Sequence, residues 1–127
     1  MDNKAKGKNY EELARNFLID NGVTILETNY RFHNKEEIDI IGRVSDIVFG
    51  KSITYLVFFE VKFRSSDKCG TAAEQVTFSK QKKISRAADY YLLEHHLPQS
   101  TPIRFDVIAI DGPSITWLPN AFMYVPR

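Results

Sequence analysis

Acids and a lysine interrupt two of the most apolar stretches of the chain: Glu37-Ile38-Asp39-Ile40-Ile41 and Phe58-Phe59-Glu60-Val61-Lys62-Phe63-Arg64. Side chains two apart in a strand share a face. Glu37 and Asp39 are therefore expected on one face, opposite Ile38 and Ile40, and Glu60 with Lys62 on one face of the next strand. A hairpin turning near Phe49-Gly50 sets Asp39 across from Glu60 and Glu37 across from Lys62. Like charges so placed, with Cβ atoms roughly 5 Å apart, destabilise a sheet. A divalent cation removes the conflict, because Mg²⁺ commonly takes one or two carboxylates together with waters and phosphate oxygens. Beside such an ion Lys62 would position or deprotonate an attacking water, or offset charge on a pentavalent phosphate. The plainer alternative is a solvated patch of cross-strand ion pairs, Glu37 with Lys62, and the D…ExK spacing alone does not choose between the two.

Helices must bring further groups to these strands. Tyr10, Ala14, Phe17, Leu18 and Asn21 recur at helical spacing, and Gly22 follows as a stop, so a helix is expected over about residues 8–21. Glu11 lies three residues before Ala14 and seven before Leu18, on the side that must be buried, whereas Glu12 falls beside Arg15 and Asn16 on the wet side. An acid aimed at a core needs a partner, so Glu11 is a further candidate ligand or water-positioning group. Its alternative role is a first-turn acid favoured by the helix dipole. A second helix is expected from about Ser79 to His96, with Pro98 beyond it and an apolar stripe of Ile84, Ala87, Ala88, Tyr91 and Leu92. Its first turns carry Lys80, Lys82 and Lys83, where the dipole prefers acids; cations and free amides at a helix start suit a phosphate. Lys80, four before Ile84, extends the inward stripe and either serves the cleft or snorkels. Lys82, Lys83 and Arg86 point outward, toward a nucleic-acid backbone or solvent.

The remaining segments complete an order αβββαββ. Strands are expected over residues 23–32, 37–50, 53–64, 104–110 and 114–118, the last two bracketing the turn Asp111-Gly112-Pro113, and residues 65–75 form a polar loop. That order implies an α/β or α+β architecture in which helices flank a mixed sheet. With 127 residues the chain fits one domain with a real core.

Composition narrows the classes. No apolar run approaches the roughly 20 residues of a membrane span, and the polar N-terminal stretch has no secretory h-region. Cys69 is the only cysteine, so no intrachain disulfide forms and a reducing compartment, the cytoplasm, is expected. His33, His95 and His96 have no metal-ligand spacing with Cys69 or with each other, which argues against zinc. The formal net charge is only +1, yet residues 62–86 hold seven bases against two acids, a balance suited to phosphates or to a solvated face. Gln75 ends the loop, near the cleft or on the surface.

The stretches EELARNFL (11–18), NYRF (29–32), EIDII (37–41), VFFEVKFRSS (57–66), VTFSKQKKISRAADYYL (76–92) and RFDVIAI (104–110) resemble, in that order, the YraN family of predicted endonucleases. That family is similar to archaeal Holliday junction resolvases and belongs with the PD-(D/E)xK nucleases. The resemblance implies a restriction-endonuclease-like αβββαβ core and a Mg²⁺- or Mn²⁺-dependent hydrolysis of DNA. Asp39 and Glu60 would be the metal acids, Lys62 the catalytic lysine and Glu11 the helix acid, with Glu37 and Lys80 on family positions of less defined role. Arg64, Lys80, Lys82, Lys83 and Arg86 would contact DNA. Three features depart from the family pattern: Tyr10 and Glu36 stand where glycine is usual, and the hairpin between the second and third strands is longer. A DNA-binding module with weak or no catalysis is the alternative function. A chain this small also suits a symmetric dimer, for which Trp117, Phe122 and Tyr124 are candidate contacts if they are not packed into the core.

Overall fold

The computed structural model describes residues 3–64 and 75–127, with side chains for 9–63 and 75–127. Cys69, Lys68 and the expected loop up to residue 74 lie outside the described residues, as does the side chain of Arg64. The elements run α1 (Asn3–Asp20), β1 (Thr24–Phe32), β2 (Lys35–Val48), β3 (Lys51–Arg64), α2 (Phe78–Glu94), β4 (Ile103–Asp111) and β5 (Ser114–Phe122). This is the expected αβββαββ order in a mixed α+β fold, consistent with an αβββαβ core.

Five strands form one sheet in sequence order. The pairs β1–β2, β2–β3 and β4–β5 are antiparallel, and β3–β4 is parallel. A parallel neighbour cannot be reached by a tight turn, and α2 lies in the connection that carries the chain back. The β2–β3 turn falls at Phe49-Gly50, both with positive φ (50° and 76°), which is the type I′ geometry that matches strand twist. Between β4 and β5, Gly112 at φ 56° precedes Pro113, so the glycine takes the one position a side chain would strain.

Each face of the sheet buries one helix. Ala14 and Leu18 of α1 pack with Val23, Ile40, Val57, Phe59, Ile108 and Ile110. On the other side Ile84, Ala87, Ala88, Tyr91 and Leu92 of α2 pack with Tyr30, Ile38, Ile41, Phe58, Phe105 and Val107. Alternation along β3 explains the two-sided core: Val57 and Phe59 face α1, Leu56 and Phe58 face α2.

Two expectations change. α1 begins at Asn3 rather than near residue 8, which places Glu11 in mid-helix. β5 continues through Pro119 to Phe122; it is an edge strand, where a residue without N–H is tolerated, and Asn120 (φ 52°) takes up the local irregularity. Of the C-terminal aromatics, Phe122 is buried in the α2-side core and Trp117 packs at the margin of the α1-side core.

Asp106 in β4 has no exposed surface, and its carboxylate is fully engaged. It accepts from Arg104 Nε at 2.9 Å and Nη2 at 2.7 Å, from Trp117 Nε1 at 2.8 Å and from the Asn120 amide at 2.9 Å. The cluster clamps β5 onto β4 across the irregular stretch between Phe105 and Val107. Asp106→Ala should destabilise the fold by about 3–5 kcal/mol, because the largely buried Arg104 guanidinium loses its buried partner and keeps only the exposed Asp46 at 3.8 Å. Urea unfolding with an unchanged m-value measures the loss, and a change under about 1 kcal/mol would refute the clamp.

Candidate metal and phosphate site

The β2–β3 pairing runs without irregularity from Val48↔Lys51 to Ile40↔Phe59. Beyond that pair the next donor of β3, the Val61 N–H, is taken not by a β2 carbonyl but by Asp39 Oδ2 at 2.7 Å. The strands part where the acids begin. The register is the one expected, with Asp39 next in line beside Glu60.

The expected sharing of faces is corrected. Ile38 packs in the α2-side core and Ile40 in the α1-side core, so alternation is broken at Asp39. β1 is irregular at the same level: Asn29, between the partners of Ile40 and Ile38, takes a left-handed backbone (φ 54°), and the β1–β2 register shifts just beyond, between Tyr30 and Arg31. Glu37 and Asp39 consequently serve different neighbours. Glu37, 8% exposed, pairs through Oε2 with Lys80 Nζ at 3.2 Å. Asp39 joins Glu11 of α1 and Glu36, one carboxylate oxygen from each lying within 4.8 Å of the others.

Glu60 stands on the other side of the split. It is 7% exposed; Oε1 lies 3.6 Å from Lys62 Nζ, and Oε2 is buried with no hydrogen-bond partner among the described residues. The alternative pairing of Glu37 with Lys62 is not formed: each takes a different partner. The dipole explanation of Glu11 fails too, since the residue is not in the first turn of α1. Glu12 is on the wet side as expected, 3.7 Å from Arg15.

The acids resist ionisation. Burial pushes Glu11 up to about 7, helped by the charges of Asp39 and Glu36 and by a hydrogen bond with Glu36. Burial also raises Asp39, with Glu36 adding to the rise, while the Val61 amide and the Lys80 and Lys62 ammonium groups oppose it. Glu60 is raised by burial and by Asp39, against Lys80 and Lys62. Asp39 thus feels Glu36 and the opposing lysines, Lys80 of α2 and Lys62 of β3, together.

Two participants carried no functional assignment in the sequence reading. Glu36, an extra acid at a position read only as a departure from glycine, completes the α1-side cluster. Asn29, with its amide nitrogen turned toward the acids, donates to Glu11 Oε2 at 2.9 Å and to Glu36. An asparagine tolerates the left-handed region, and that tolerance is the only signal the sequence offers. Tyr10, the other departure, stacks on Phe63 with ring centroids 4.3 Å apart and ties α1 to β3 beside the site.

Of the expected phosphate contacts, Lys80 turns inward to Glu37, and Lys82 and Lys83 are exposed. Arg86 is occupied by its own chain: it donates to the Val125 carbonyl, pairs with Asp89 at 3.6 Å and covers the Tyr124 ring. Gln75 is half-buried. A concavity of about 550 Å³ beside Leu92, Leu97 and Tyr124 has none of these acids in its lining.

A sheet with an acid-lined split, flanked by a basic helix, defines an α+β protein with a candidate cation site. The model of the uncharacterised protein family UPF0102 matches residues 10–110, and the chain belongs to that family. A UPF0102 protein of Legionella pneumophila is 42% identical over 119 residues, covering 92% of this chain and 93% of its own. One from Lachnoclostridium phytofermentans is 41% identical over 122 residues, covering 96% of each. Another from Clostridioides difficile is 44% identical over 110 residues, covering 87% of this chain and 88% of its own.

The raised acids set a pH dependence. A carboxyl whose folded pKa exceeds its unfolded value binds protons more tightly when folded. Its stabilising contribution is complete below about 4.5 and is lost as pH rises toward 7. Glu60→Gln should therefore raise the metal-free Tm at pH 8, on the order of 5 °C, and change it little at pH 4.5. Equal shifts at both pH values, followed by circular dichroism, would show that Glu60 carries no strain.

Proposed function

We propose that this protein is a divalent-metal-dependent endonuclease of the PD-(D/E)xK type that hydrolyses DNA phosphodiesters, on branched or otherwise structured substrates. The observation that carries the reading is Asp39 entering the strand split beside Glu60, whose buried Oε2 has no partner among the described residues, with Lys62 two residues on. Burying an unpaired acid is costly, and three carboxylates within 4.8 Å repel one another; a cation relieves both. The donor set is all oxygen, which suits Mg²⁺ or Mn²⁺. Asp39 and Glu60 would hold the ion and Glu11 would support it.

A bound Mg²⁺ supplies Lewis-acid polarisation of the phosphate and lowers the pKa of a coordinated water. The chain does the rest. Asp39 is fixed by the Val61 amide, so its carboxylate cannot swing away. Lys62, 3.6 Å from Glu60, would donate to the attacking water or to a phosphate oxygen. Lys80 neutralises Glu37 at the entrance, keeping a buried acid from repelling the DNA. Water adds to phosphorus and the P–O ester bond breaks, leaving a phosphate and a hydroxyl end.

Purified protein incubated with duplex, flap and four-way DNA should cut in Mg²⁺ or Mn²⁺ and only bind in Ca²⁺. Asp39→Ala or Glu60→Ala should reduce cleavage at least about 100-fold while DNA binding persists. Lys62→Ala should lower the rate about 10²- to 10³-fold. Binding without cleavage of any substrate, in either metal, would replace the enzyme with a DNA-binding module.

A further inference from the structure

Phe78 opens α2 and is 64% exposed. It lies off the buried stripe of that helix, and Val76, only two residues earlier, is the side chain that enters the core instead. An isolated exposed aromatic is unremarkable, but this one has a particular setting. A shallow concavity of about 430 Å³ is lined, among the described residues, by Phe78, Ser79, Lys82, Lys83 and Arg86, three bases with no acid between them. The Lys82 Nζ sits 5.7 Å from the Phe78 ring centroid, within cation–π range. Residues 78, 82 and 86 recur every four positions, so ring and bases line one side of the helix over about 12 Å. Lys80, in the same first turn, reaches Glu37 at the acid cluster.

Cations interleaved with an aromatic face are what an unpaired nucleic-acid strand requires: phosphates for the lysines and a base for the ring. Duplex DNA keeps its bases stacked and would leave the ring without a partner. We infer that the outer side of α2 is a track for an unpaired DNA strand, with Phe78 as the stacking platform for one base and Lys82 and Lys83 on the phosphates. The inference rests on the proposed nuclease reading and narrows its substrate to DNA with unpaired nucleotides beside the scissile bond. Arg86, held by Asp89 and the Val125 carbonyl, lends charge to the track while its geometry stays fixed.

Fluorescence anisotropy with labelled single-stranded and duplex oligonucleotides in EDTA tests the track without the metal site. The protein should prefer the single strand. Phe78→Ala should weaken single-strand binding about 10-fold or more and leave duplex binding unchanged, whereas Phe78→Trp should retain the preference. Lys82→Ala with Lys83→Ala should weaken both and reduce the salt dependence. Because Phe78 is exposed, circular dichroism should show the variants folded. Equal losses on both DNA forms, or none from Phe78→Ala, would overturn the inference, as would Phe78-dependent binding to phosphatidylserine vesicles in place of DNA. Single-strand binding through Phe78 in a protein that cleaves nothing would keep the track and remove the hydrolysis. Cleavage indifferent to Phe78 would do the reverse.

Discussion

One hydrogen bond holds the site together: the Val61 N–H donates to Asp39 Oδ2 at 2.7 Å. A central strand cannot abandon its pairing without leaving a buried amide unsatisfied. Here the side chain of the neighbouring strand supplies the missing acceptor, so β2 and β3 separate while the amide stays satisfied. The same bond favours the ionised form of an acid that burial would otherwise keep protonated. Glu60, Lys62 and Glu37 all stand at or beyond the point where the strands part.

The fold contains two kinds of buried acid, and their contrast separates scaffold from site. Asp106 accepts four hydrogen bonds and shares its charge with Arg104, so nothing is left for a ligand. Glu60 is nearly as buried yet has one lysine at 3.6 Å and one oxygen with no donor among the described residues. Burial alone says nothing of role; the accounting of lone pairs does.

Much of this was legible in the residues. The apolar blocks of β2 and β3 and the Phe49-Gly50 turn set the register that brings Asp39 alongside Glu60. The stripe through Ala14 and Leu18 correctly aimed Glu11 inward, and Lys80 likewise. Alternation fails at Asp39 because it assumes an unbroken pleat, and the pleat is broken here beside the left-handed Asn29 of the neighbouring strand. Glu36 was invisible as a participant for the same reason: its approach to Glu11 depends on that twist. The start of α1 was misjudged because residues 3–9 have little apolar periodicity, and the extent of β5 because proline stops a central strand but not an edge.

The parallel pairing of β3 with β4 has a kinetic meaning. Leu56 and Ile103 meet across 46 intervening positions of sequence, whereas Val48 and Lys51 meet across a two-residue turn. Chain closure over the longer span costs more entropy and slows the step that completes the sheet. The three-stranded meander bearing Asp39, Glu60 and Lys62 is cheap to assemble early. Mutual repulsion among the acids reaches full strength only when α1 seats Glu11 against them.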